Sequence, residues 1–466
     1  MKTPLIAVGC AAATAALLYF GTGLHPVPLL TWLAALPVLW AAPRLPWWGA
    51  LLVALVAGAA GATNLWSYFM RDLATPVPLA AGLVLLTGVT LGLSTMAFRA
   101  LVLAERPVAA ALAVPAVWVT VEWLVSLGLP HGAWWSLAYT QSSWSIVRQA
   151  AAFGGVWAVS FLLLLTPAAL AAARRSTVTL LAVVLVTAAG LGLARLATAP
   201  AGPTVRVGLL AVGQPADPVR LDSPSGPPLL DAYVTEARNL ARRGATTIVL
   251  PENVLRLPEE RLEQLTGPLS ELARSEHVTV VFGASIGSAN TAVVIEPDGR
   301  LQRYVKQHLV PGLEDHLTPG HERALLAADP RIGVLICKDL DFPSAVRPYR
   351  GDGARLLAAP AWDFVRDGWL HSRIAAMRGV ESGLAIARTA RSGRLTVSDS
   401  RGTVLAEADY RPDGVASLVV DVPLAPVSTV YGGIGDLFAW LCAAAAALLA
   451  ALAVRTAGRR PGPPLG

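Results

Sequence analysis

The chain has 466 residues, of which 54% are hydrophobic and only 15% charged, with a formal net charge of +6 and a mean hydropathy of +0.55. Soluble domains carry about 25% charged residues, so the composition excludes a wholly soluble protein and puts part of the chain in lipid.

The apolar excess lies at the two ends. Residues 1–200 are rich in Ala, Leu, Val and Trp, with charges almost confined to short connectors. Residues 201–433 read as an ordinary globular domain, and 434–455 are apolar again. A hydrocarbon core takes roughly 20 apolar residues per helix. Eight spans are predicted, at 4–21, 26–42, 47–68, 77–98, 107–128, 153–173, 177–198 and 434–455. Lys2 followed by an apolar run imitates a signal peptide, but six more spans follow before the globular region, which favours an uncleaved helix.

With the N-terminus inside, the cytoplasmic segments hold Lys2, Arg44, Arg99, Arg106, Arg174, Arg175, Arg455, Arg459 and Arg460. The opposite connectors hold only Arg71, Arg148 and Arg195. This asymmetry follows the positive-inside rule, and seven crossings then place 201–433 outside the cytoplasm. The positive charge is largely cytoplasmic arginine, so no nucleic-acid partner is expected. The predicted organisation is a seven-helix transmembrane domain (1–200), a domain outside the cytoplasm (201–433), and an eighth helix with a basic tail (434–466). Cys10 and Cys442 fall in predicted spans, which leaves Cys337 alone in the outer domain and excludes a disulfide framework there. Trp134, Trp135, Tyr139 and Trp144 suit either an aromatic belt at the interface or plain structural anchoring.

In the outer domain, "TVRVGLLAV" (204–212) alternates as a strand, and 227–244 has helical periodicity with a stop at Gly244. Further strands are predicted at 245–252, 278–285, 331–337 and 354–360, with helices at 259–277 and about 367–382. Two hairpins, 291–306 around "PDGR" and 394–408, complete an α/β domain with a mixed sheet.

Three apolar strands end on a reactive or charged residue: Glu252, Lys306 and Cys337. Strand C-termini are where α/β sheets assemble sites. Carboxylate, ammonium and thiol are what acyl transfer through a covalent intermediate requires. A thiol needs a base, and a tetrahedral oxyanion needs a cation or N–H donors. Glu252 suits the base. Lys306 and the backbone N–H of Lys338 suit the oxyanion. Taken singly, each residue reads equally as a surface or core side chain; the three together, in order, point to a site.

"LPEN", "YVKQHLVPGLED" and "GVLICKDLDFP" resemble the three signature blocks of the nitrilase (carbon–nitrogen hydrolase) superfamily, with Glu252, Lys306 and Cys337 in its triad positions. Residues 362–402 resemble its C-terminal block. The membrane half, through "VEWLVSLGLPHGAWWSLAYTQ" (121–141), "FGGVWAVSFL" (153–162) and "YGGIGD" (431–436), resembles the apolipoprotein N-acyltransferase branch. The resemblance implies a multi-pass α-helical membrane domain carrying an α/β domain, an αββα sandwich, on the extracytoplasmic face of the cytoplasmic membrane. It implies an acyl chain moved from a phospholipid, through a Cys337 thioester, to the N-terminal amine of a diacylglyceryl-cysteine lipoprotein, with no metal or cofactor. It also places Glu314 at an additional catalytic-site glutamate.

Two features depart from that branch. Lys338 and Asp339 stand where an aromatic residue and Glu usually follow the cysteine. Lys338 is then either a surface ion-pair partner of Asp339 or Asp341, or a positive charge lowering the Cys337 pKa. The loop 315–330 is short, as in soluble amidases, so a membrane-anchored amidase acting on a small amide is the alternative.

Overall fold

The computed structural model describes residues 2–198, 202–326, 331–425 and 427–457. The expected boundary at 200/201, the end of the loop 315–330 and the basic tail from 458 lie outside the described residues. The chain forms two compact units. One comprises Met1–Gly128, Trp135–Ala194 and Ile434–Gly466; the other comprises Leu129–Trp134 and Arg195–Gly433.

In the first unit, seven helices among the described residues are long and apolar enough to cross a membrane. They are Pro4–Gly21, Trp47–Arg71, Val77–Leu103, Pro107–Gly128, Ala151–Ala172, Arg175–Ala197 and Leu437–Arg455. The expected second span, 26–42, is corrected. It forms two short helices, Pro28–Thr31 and Leu36–Ala41, so six long helices rather than seven precede residue 201. Pro37 explains the break: it has no N–H to donate and its ring would clash with the Leu33 carbonyl of a continuous helix, so it is accommodated in the first turn of a new one. Two carboxylates brace this unit. Buried Glu122 accepts from Trp118 Nε1 at 3.0 Å, Leu137 N at 2.9 Å and Ser136 Oγ at 3.3 Å. Asp436 accepts from Trp157 Nε1 at 2.9 Å and Trp123 Nε1 at 3.3 Å. Tyr139 is buried, so it is not presented to lipid.

The second unit is the expected αββα sandwich. One sheet holds β1 (Thr204–Val212), β2 (Val219–Arg220), β3 (Thr247–Val249), β4 (Leu255–Leu257), β5 (Thr279–Ile286), β6 (Ala289–Ile295), β7 (Leu301–Val305) and β14 (Val415–Pro423). The other has the order β13-β12-β11-β10-β9-β8, from β8 (Ala324–Leu325), β9 (Ile332–Val334), β10 (Leu356–Trp362), β11 (Ala385–Arg391), β12 (Arg394–Ser398) and β13 (Val404–Asp409).

The period-2 pattern of β1 sorts its two faces. Val207, Leu209 and Ala211 pack between the sheets with Val334, Leu356 and Val397, while Leu210 faces the helix layer with Leu230 and Tyr233. Helices Gly226–Arg242 and Leu262–Ser275 cover the first sheet; Pro343–Gly351 and Gly368–Ser382 cover the second. Strands β1, β3 and β5 run parallel, as do β9, β10 and β11. Their C-terminal ends therefore gather Glu252, Cys337, Trp362 and Arg391 at one edge of the sandwich. The strand expected at 331–337 is shorter: β9 stops at Val334 and Cys337 opens a 3-10 turn, Cys337–Asp341.

Candidate active site

Glu252 lies where the sheet is interrupted. Strand β3 pairs with 279–281 of β5, and β4 resumes against 284–286 on the same edge, so the intervening chain leaves the ladder. Its backbone crosses β5 at Gly283, where an added Cβ would lie 2.3 Å from Pro251 O and 2.5 Å from Glu252 Cα. Only glycine allows that approach. The carboxylate is buried, and its oxygens are used unequally. Oε1 accepts from Lys306 Nζ at 2.8 Å and Asn290 Nδ2 at 2.6 Å, while Oε2 has no hydrogen-bond partner. Burial raises the Glu252 pKa; the Lys306 ammonium opposes this, and the Glu314 charge adds to it.

Lys306 follows β7 and is 1% exposed. Its Nζ lies 2.8 Å from Glu252 Oε1 and 2.8 Å from Glu314 Oε2. Burial alone would strip its proton, but the two carboxylates outweigh that and hold its pKa above the ordinary lysine value. Glu314 is fixed by Val310 N at 2.8 Å and Asn290 Nδ2 at 2.7 Å. One amide group thus spans both carboxylates. Asn290 carries no motif signal; it follows a hairpin turn and is recognisable only in three dimensions.

Cys337 has φ +43°. A left-handed non-glycine residue is strained, and such strain concentrates at functional sites. The turn swings the thiol off the strand axis, and Sγ donates to Trp362 O at 3.5 Å. Burial pushes the Cys337 pKa well up, and Glu252 adds to the rise; Lys306 and Arg388 pull it down. Cys337 therefore rests as a thiol, beside a carboxylate with a vacant acceptor oxygen.

Asp339 clamps the cysteine turn to the segment after Lys306. Oδ1 accepts from His308 N at 2.8 Å and Gln307 N at 3.2 Å, and Oδ2 from Tyr304 OH at 2.7 Å and Ile336 N at 3.1 Å. Lys338 is corrected from one of its two readings: it is buried, not a surface residue. It is not paired with Asp339, and its Nζ lies 3.2 Å from His131 Nδ1. His131 belongs to Leu129–Trp134, the stretch of chain that joins this unit from between two membrane helices. That stretch is held by Ala133 N donating to Asp341 O at 2.8 Å. At Gly132, φ is +54° and an added Cβ would lie 2.5 Å from Asp341 O.

Behind the thiol, Arg388 on β11 pairs with both oxygens of Asp363, and both groups are buried. Arg391, in "ARSG", stacks 3.8 Å above the Trp362 ring and donates to Ala216 O at 2.8 Å. Sequence reading did not single out Arg388 or Asp363; an ionic residue inside the otherwise apolar strand β11 is the signal that could have found this layer. Among the described residues, no group of three or more His, Cys, Asp or Glu side chains is arranged to hold a metal ion.

Carbon-nitrogen hydrolase family sequences match residues 209–429, and the apolipoprotein N-acyltransferase N-terminal domain matches 14–169. The apolipoprotein N-acyltransferase of Geobacter metallireducens is 28% identical over 402 residues, covering 75% of each chain. That of Gloeobacter violaceus is 27% identical, covering 96% of this chain and 84% of its own. An amidase from Nesterenkonia sp. superposes on 48% of this chain and 91% of its own, with 22% identity and a TM-score of 0.40. The two family matches fall one on the helical half and one on the sandwich, as in the relatives that span both. Across both units the chain is similar to the apolipoprotein N-acyltransferases.

Proposed function

We propose that the protein moves a fatty acyl chain from a membrane phospholipid to the N-terminal amine of a diacylglyceryl-cysteine lipoprotein, with Glu252, Lys306 and Cys337 as its triad. The supporting observation is the union in one chain of seven apolar helices with a buried Glu–Lys pair beside a strained cysteine. Both substrates are lipid-anchored, which a soluble amidase would not require.

Glu252 Oε2, the vacant acceptor, takes the Cys337 proton as Sγ attacks the ester carbonyl. The oxyanion meets Lys306 Nζ and the N–H of Lys338. The C–O bond then breaks, and Glu252 returns the proton to the departing lysophospholipid alkoxide. In the second half the acceptor amine attacks the thioester and gives a proton to Glu252; as the C–S bond breaks, Glu252 passes that proton to the departing Sγ, which restores the thiol and the carboxylate. Glu314 and Asn290 keep Lys306 in place and move no proton. Purified enzyme given phospholipid and a diacylglyceryl-cysteine peptide forms the triacylated peptide and a lysophospholipid. Hydrolysis of small amides without lipid, and no triacylated product, would replace this reading with the amidase.

The catalytic unit acts on the extracytoplasmic face, as the arginine asymmetry supports. Six long helices precede it, so that side requires the broken segment 28–41 to cross as well. Alkaline phosphatase fused after residue 198 is active on this reading and inactive if the broken segment turns back.

A further inference from the structure

Lys306 and Lys338 are two buried ammoniums at one site, partnered in opposite ways. Lys306 lies between two carboxylates. Lys338 Nζ makes its one hydrogen bond among the described residues to His131 Nδ1. Burial, then the Lys338 charge, pushes the His131 pKa down to about 4, so the ring is neutral at physiological pH. It accepts a hydrogen bond and brings no countercharge.

The charged and titratable groups around Lys338 are Asp341, Lys306, Cys337 and Glu314, with His131 from the packed segment. None of the acids forms an ion pair with it. Glu314 is occupied by Lys306, Asn290 and Val310, and Asp339 by the Tyr304 hydroxyl and the backbone N–H groups of Gln307, His308 and Ile336. Burial accordingly drives the Lys338 pKa down, with Asp341 opposing. A buried ammonium without a countercharge is costly. An anion delivered by substrate would complete it, one residue from the nucleophile. In a phospholipid the nearest anion to the scissile ester is the phosphodiester on the same glycerol.

We propose that Lys338, oriented by His131, binds the phosphate oxyanion of the acyl donor while the donor's ester carbonyl lies at Cys337. No bond to Lys338 forms or breaks; it recognises and positions. This rests on the acyl-transfer reading and adds which part of the donor is recognised.

The test compares dioctanoyl phosphatidylglycerol with dioctanoylglycerol, which carries the same esters and no phosphate. The readout is the ratio of the rates at which each forms the Cys337 thioester, followed by intact mass. In Lys338→Met the phospholipid-to-neutral ratio falls roughly ten- to hundredfold, the worth of a hydrogen bond to a charged group. Lys338→Arg restores much of it, and His131→Ala lowers it by a smaller factor. A ratio unchanged in Lys338→Met overturns the proposal. No thioester from either donor overturns the acyl-transfer reading itself, and this one with it.

Wild-type enzyme gives a measurement that needs no variant: iodoacetamide alkylation of Cys337 with glycerophosphoglycerol or inorganic phosphate present. Protection by the glycerophosphodiester alone identifies the lipid headgroup as the ligand. Protection by both identifies a general phosphate subsite. Protection by neither overturns the proposal.

Discussion

Glu122 in the helical unit and Glu252 in the sandwich are both buried carboxylates, and they are partnered to different ends. Both oxygens of Glu122 accept hydrogen bonds, from an indole, a backbone N–H and a hydroxyl. Glu252 crowds two donors onto Oε1 and leaves Oε2 without one. A saturated carboxylate braces a fold, because removing any partner leaves a buried orphan. A carboxylate with a vacant oxygen has kept an acceptor for a proton. Burial alone therefore does not distinguish these two acids; the unused lone pair of Glu252 does.

The largest effect that tests this contrast comes from Cys337→Ala, which abolishes the thioester and all transfer, and from Glu252→Gln. The latter lowers transfer by about 10²–10⁴-fold, the usual worth of a positioned acid–base group. Glu252→Gln also separates reactivity from catalysis. The Glu252 charge holds the Cys337 pKa up, so the neutral amide moves the midpoint of Cys337 alkylation to lower pH while turnover falls. A midpoint that stays put would place the carboxylate outside the thiol's field.

A smaller effect concerns two histidines of the sandwich. For His371, burial is outweighed by Asp367, whose Oδ2 lies 3.3 Å from Nε2, and the pKa rises from 6.5 to about 9. Its stabilisation is complete below pH 6.5 and disappears as the pH climbs through about 9, a loss of at most about 3 kcal/mol. His131 has the opposite sign. With a folded pKa of about 4 against 6.5, its share is present above pH 6.5 and is lost as the pH falls towards 4. Denaturation followed across pH shows both limbs, and His371→Gln flattens the alkaline one. An alkaline limb that persists unchanged removes His371 as its source.

The smallest effect on turnover comes from Glu122→Gln. It destabilises the helical unit by about 1–3 kcal/mol and leaves transfer per folded molecule near that of the parent. Abolished transfer in a well-folded Glu122→Gln protein would break the contrast with Glu252.

The sequence showed the strand-end residues Glu252, Lys306 and Cys337 because each closes a short apolar run, a local pattern. The α/β character with a mixed sheet was visible for the same reason, through alternating strands and periodic helices, whereas the αββα sandwich was implied by the family resemblance. What escaped was non-local or conformational. The left-handed backbone of Cys337 follows from the turn it enters, not from the run before it. Asn290 joins two carboxylates that come from segments 38 and 24 positions away. The hydrogen-bond partner of Lys338 Nζ is His131, 207 positions distant, so a lysine among acids read as solvated. The short helices at 28–41 were hidden because composition counts apolar residues and does not register Pro37, which forbids one continuous helix.

The entry of Leu129–Trp134 into the sandwich has a consequence for the order of events at the ribosome. This segment is made 207 positions before the lysine it meets, a delay of roughly 10–40 s at ordinary elongation rates. During that time His131 and Ala133 have none of their sandwich partners, and the site cannot close until the cysteine turn has been synthesised. A protein cut down to residues 202–433 would keep every strand yet lose the acceptor for Lys338 and the donor for Asp341 O. Its Cys337 turn would be open on the side that the earlier part of the chain supplies.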